Sequence, residues 1–133
     1  MMKVILPIIM VNLLLSTAAY SQCAVYGSVS NGAWSAYYNG ADENFTMSEL
    51  EEKAAYECRM SNRGYDCEKI LSSNSSGWWA ITTGTDQDGY VVMGLANGLE
   101  SENEAINSSQ KTYIKEGGSI GRGYYETTAW YVR

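Results

Sequence analysis

Apolar and polar positions between residues 24 and 132 alternate in one order, and that order occurs twice. The period-2 alternation of a half-buried strand gives a strand near Ala24–Ser30 and another near Ala33–Tyr38, with Asn31-Gly32 between them. Apolar residues then recur at 3–4 spacing as Met47, Leu50, Ala54 and Cys58, which predicts a helix over Met47–Met60, and a strand follows near Glu68–Ser73. The second pass has strands near Trp78–Thr83 and Tyr90–Leu95 around an Asp88-Gly89 turn. It continues with a helix over Glu102–Lys115, carrying Ala105, Ile106, Ser109 and Tyr113, and a strand near Tyr124–Val132. Asn-Gly and Asp-Gly between apolar runs are strong hairpin signals, because both central residues of such a turn take positive φ.

Smaller devices repeat as well. Ser48-Glu49-Leu50-Glu51 and Ser101-Glu102-Asn103-Glu104 both fit a capping box, in which a hydroxyl and a carboxylate satisfy two orphan amides at a helix start. Asn39-Gly40 and Asn97-Gly98 end the two hairpins. Matching the caps and matching the alanines align the helices two residues apart, so the internal register stays open. The fold class expected is α+β: a single domain of two pseudo-symmetric ββαβ units, 24–73 and 78–132, with an antiparallel sheet and two helices packed on it. Ser72–Gly77, rich in Ser and Asn, joins the units.

Residues 1–21 read differently. Met1-Met2-Lys3 is a short positive start, Val4–Leu15 is almost wholly apolar, and Ser16–Ser21 is small and polar. These are the parts of a secretory signal peptide. Ala19-Tyr20-Ser21 suits cleavage before Gln22, and Thr17-Ala18-Ala19 suits cleavage before Tyr20. The expected mature domain is 22–133, periplasmic or secreted, with no further apolar run able to cross a membrane. Export changes the meaning of cysteine. Cys58 and Cys67 enclose a short loop with no C-x-x-C and too few soft ligands for zinc, so a structural disulfide is expected there. Cys23 is left over, either free in a frayed N-terminus or paired with another chain.

Tyr26-Gly27-Ser28-Val29, the turn into Ala33-Trp34-Ser35-Ala36, the helix with Ala54, Ala55 and Cys58, Asp66-Cys67, and a second Trp- and Gly-rich copy form a set. Together they resemble domain of unknown function 4189, a bacterial secreted family with paired cysteines and internal duplication. The resemblance covers nearly all of 24–132 and implies an exported bacterial protein. It assigns no catalytic residue. The chain departs from the pattern by lacking cysteines in its second copy.

Composition narrows the chemistry. With 133 residues, no histidine and a net charge of −6, the chain has no Ser-His-Asp or Cys-His catalysis, no histidine-held metal and no basic surface for nucleic acid. Gly117-Gly118-Ser119-Ile120-Gly121 matches G-x-S-x-G in letters only, since it runs from helix to strand with no base. Ser108-Ser109-Gln110-Lys111 matches S-x-x-K without a K-T-G partner, and Asp86-Gln87-Asp88-Gly89 lacks the later acidic ligand of a calcium loop. Asp42-Glu43 and Glu51-Glu52 are adjacent rather than convergent, which suits a solvated acidic surface better than paired-carboxylate hydrolysis. No cofactor and no metal is expected.

Binding is left as the expected activity. The reading is a non-enzymatic exported protein of the bacterial envelope. In its concrete form it is an inhibitor or immunity protein that neutralises a basic secreted or cell-wall-degrading enzyme, a partner its own charge would attract. The alternatives are a glycan-binding or structural envelope protein and, behind them, a carboxylate-dependent hydrolase. The expected binding residues are Tyr37, Tyr38, Asp42 and Glu43, on and beside the loop Asn39–Phe45, with Arg122 in the glycine loop as second choice. The sequence does not fix the oligomeric state.

Overall fold

The computed structural model describes residues 21–61, 66–120 and 125–133. Both expected units are present. Unit one runs β1 (Cys23–Gly27), β2 (Trp34–Tyr38), α1 (Met47–Ser61) and β3 (Glu68–Ser73). Unit two runs β4 (Gly77–Thr85), β5 (Val91–Leu99), α2 (Glu102–Lys115) and β6 (Glu126–Val132). The strands form two three-stranded antiparallel sheets, ordered β2-β1-β3 and β5-β4-β6. In each unit the first strand is therefore central, and the helix carries the chain over it to the far edge.

Alternation along the central strands fixes the layers. Cys23 and Val25 of β1 pack with Trp79 and Ile81 of β4 and Val132 of β6 in one buried cluster. Ala24 faces the other way, onto Leu50 and Ala54 of α1. On unit two's outer face Thr82 meets Ser109 of α2. The sheets thus pack face to face, and each helix covers the outer face of its own sheet. This is more specific than helices sharing one side of a single sheet. Trp34 of one sheet stacks on Trp130 of the other, 5.7 Å between centroids.

The caps settle the register that the sequence left open. Thr46, not Ser48, caps α1: Glu49 N–H donates to Thr46 Oγ1 at 3.2 Å, and Thr46 N–H donates to Glu49 Oε1 at 3.1 Å. Ser101 caps α2 as expected, its hydroxyl accepting from Glu104 N–H. Aligned from these caps, Leu50, Ala54 and Cys58 correspond to Ala105, Ser109 and Tyr113, and all six are buried. Cys58 bonds Cys67 as expected. At the matching place in unit two stands Tyr113, whose hydroxyl lies 2.9 Å from Ser119 O and 3.2 Å from Thr85 O, tying the loop after α2 back to β4. Unit two therefore has a clamp of its own in place of the disulfide.

Cys23 is neither frayed nor available to another chain. It has no exposed surface and pairs in the ladder with both Tyr38 and Ser73. Burial pushes its thiol up to about 12, and the neighbouring Trp130 indole offsets only part of that rise. Since the thiolate is the reactive form, Cys23 should resist a thiol reagent in the native protein at mildly alkaline pH. Denaturant should release one reactive thiol while the disulfide stays closed. Rapid native labelling of Cys23, read by mass spectrometry, would contradict this placement.

Candidate functional site

Both hairpin turns lie at one end of the molecule, where a Cβ on Gly32 would lie 3.8 Å from Val91. The opposite end carries the link between units. There Cys23 pairs with Ser73, Gly77 pairs with Val132, and a Cβ on Gly98 would lie 3.1 Å from Ser75. Both helices begin at this second end, because Thr46 follows β2 and Ser101 follows β5. Their first turns bring exposed Glu49, Glu102 and Glu104. Carboxylates are favoured there by the unpaired amides of a helix start. Exposed Asp42, Glu43 and Glu100 join them from the preceding loops, so this end is an acidic pole. The nearest cation on α1, Lys53, lies over the Phe45 ring at 4.5 Å, and Arg133 ends the chain at the same pole.

The loop of residues 39–45 is where the units differ most, since unit two passes from β5 to its cap with only Glu100 between. It is held open by specific bonds. Asn39 is buried, its Oδ1 accepting from Phe45 N–H at 2.8 Å and its Nδ2 donating to Phe45 O at 3.0 Å. Gly40 N–H donates to Glu43 Oε1 at 2.8 Å, and Glu43 N–H donates to Gly40 O at 3.2 Å. Glu43 thus shapes the loop, while Asp42 beside it is exposed.

The expected binding residues separate accordingly. Tyr37 and Tyr38 are neighbours on β2 and point to opposite faces. Tyr37 packs on the α1 side with Phe45 and Met47. Burial raises its pKa first, and Glu57 then adds both charge and a hydrogen bond, with Glu43 contributing charge. The structure therefore groups Tyr37 with Glu43 and Glu57. Glu57 was not singled out from sequence, because only the helix register brings it there. Tyr38 lies on the other face, 37% exposed. Arg122 lies outside the described residues. Of the adjacent tryptophans on β4, Trp79 is fully buried between the sheets, and Trp78 lies edge-on to exposed Tyr131.

Behind the pole, Glu51 joins α1 to β3. Its carboxylate accepts from Ser72 Oγ at 2.7 Å and Lys69 Nζ at 3.2 Å. The Ser72 bond first, and Lys69 second, hold its pKa below the usual carboxylate range. At the hairpin end a cleft of about 310 Å³ opens between the sheets, lined by Asn31, Thr83, Thr85, Val91 and Glu126 among others. Its walls are largely apolar, with the hydroxyls of Thr83 and Thr85, the Asn31 amide and the Glu126 carboxylate set among them. Among the described residues no cluster of three or more Cys, Asp or Glu is placed to hold a metal ion, and no helix is long and apolar enough to cross a membrane.

Comparison with protein families, with curated proteins and with solved structures found no match to this chain.

Proposed function

We propose that this is an exported, non-enzymatic binding protein of the bacterial envelope that docks through its acidic pole on a basic enzyme, secreted or cell-wall-degrading, and neutralises it. The observation that carries the reading is the pole itself: exposed carboxylates from both units at one end, beside a bonded loop that the second unit lacks. Such a pole steers a basic partner, and a preordered loop loses little entropy on docking. Export is supported by the leader pattern, the Cys58–Cys67 disulfide and the resemblance to domain of unknown function 4189.

The test starts with the oxidised mature protein as bait for secreted and envelope proteins of neighbouring strains. A single basic hydrolase, bound stoichiometrically, inhibited, and released by salt, is the expected result. Against that partner, Tyr38→Ala and Asp42→Ala should each weaken affinity roughly tenfold, a typical loss for a contributing interface residue. Unchanged affinity in both variants would remove the loop from the interface.

A second reading rests on the cleft at the hairpin end, where Asn31, Thr83, Thr85 and Glu126 set polar groups for sugar hydroxyls among largely apolar walls. It predicts a change in tryptophan fluorescence on adding cell-wall saccharides, abolished by filling the cleft with Thr83→Trp rather than by changes at Asp42.

A further inference from the structure

We propose that Gln22 is the first residue of the exported chain and that it closes on itself to pyroglutamate. The inference rests on the export reading above and adds a covalent modification to it.

Two placements support it. Ladder pairing begins at Cys23, which has no exposed surface and is held on both sides by Tyr38 and Ser73. A cut one bond later would therefore start the chain inside the core. The small-residue pattern Ala19-Tyr20-Ser21 places the cut just before Gln22, the last residue outside the sheet. Gln22 itself is half-buried, and its Oε1 is buried without a hydrogen-bond partner.

A new N-terminus here puts an α-ammonium next to a strand whose first three residues, Cys23, Ala24 and Val25, have no exposed surface. Desolvation disfavours that charge and raises the share of neutral amine, which is the nucleophile. The amine nitrogen attacks Cδ of its own carboxamide. An N–Cδ bond forms, the Cδ–Nε2 bond breaks, the amine proton passes to the leaving nitrogen, and ammonia departs. No oxidant or second substrate is needed. The lactam removes the terminal charge beside the core and denies an aminopeptidase its free amine.

The experiment uses the full chain, secreted from a bacterial host by its own leader. Intact mass and the N-terminal tryptic peptide are read together, with a synthetic Gln-Cys-Ala-Val peptide carried through the same work-up to exclude closure during handling. The expected result is a chain starting at Gln22, lighter by one ammonia, without a reactive α-amine, from which pyroglutamyl peptidase releases the first residue after unfolding. Gln22→Ser should be exported with a free amine. A Gln22 start bearing a free amine overturns the proposal. A start at Tyr20 overturns it while leaving export standing, and a retained leader overturns the export reading as well.

Discussion

Gly94→Ala should destabilise the protein by about 3 kcal/mol or more, at the upper end for overpacking, because the obstacle is backbone. A Cβ on Gly94 would lie 2.3 Å from Ser109 O, 2.4 Å from Tyr113 N and 2.8 Å from Tyr113 Cα. No rotamer change relieves such a contact, so α2 must lift off the sheet. Lifting it strains the hydroxyl chain beneath: Thr82 Oγ1 lies 2.8 Å from Ser109 Oγ and 2.9 Å from Thr127 Oγ1, with Ser109 Oγ donating to Ile106 O and Gln110 Nε2 donating to Thr127 Oγ1. These groups satisfy one another only at this spacing, and leaving one unpaired costs about 1–3 kcal/mol more. The control is Gly89→Ala. Gly89 has φ 86° with nothing within 4 Å of an added Cβ, so only backbone strain of about 1–2 kcal/mol applies. Urea unfolding of both variants checks the ordering. A Gly94→Ala cost no greater than that of Gly89→Ala would show that α2 rides loosely on its sheet.

Unit one meets the same place differently. Tyr26 pairs with Ser35 there as Thr82 pairs with Gly94. Ser35 Oγ donates to Ala54 O, the counterpart of Ser109 O. One unit bridges strand and helix with a hydroxyl, and the other brings backbone against backbone. The duplication was legible because its signals are local: Gly32 and Gly89 turn at positive φ, and a capping hydroxyl opens each helix. What stayed hidden depends on partners distant in sequence. Ser48 fits a capping box by its letters, and only the folded chain shows Thr46 at the helix start instead. Trp78 and Trp79 are equally apolar, and the second sheet covers one of them. Cys23 looks terminal until β3 pairs beside it. In the candidate site, the exposure of Asp42 and Tyr38 agrees with their place in and beside a polar loop. The turning away of Tyr37 toward Glu57, and the use of Glu43 to hold Gly40, required the register of β2 against α1.

Breaking the Cys58–Cys67 bond should cost about 3 kcal/mol, the chain-entropy value for a loop this short. The loss should fall on unit one first. Its helix side is thin, with Ala24, Leu50 and Ala54 as the buried cluster under α1. Cys58 is the last buried residue along the helix, where Tyr113 stands in unit two. Without the bond, Cys58 Sγ keeps a long contact of 3.9 Å to Ala33 O, weaker than the two bonds of the Tyr113 hydroxyl at the end of α2. Hydrogen exchange on the reduced protein should therefore show the amides of α1 losing protection while those of α2 keep it, with a lower urea midpoint overall. The double variant Cys58→Ala/Cys67→Ala should lose more than reduction alone, since it also empties buried volume at Cys58. Cys23 does not complicate the reading, because its buried thiol takes no part in exchange until the chain unfolds. Equal stability of the oxidised and reduced forms would mean that packing of α1 on β1 and β2 alone holds unit one. The acidic pole that α1 helps to build would then keep its shape in a reducing compartment as well as outside the cell.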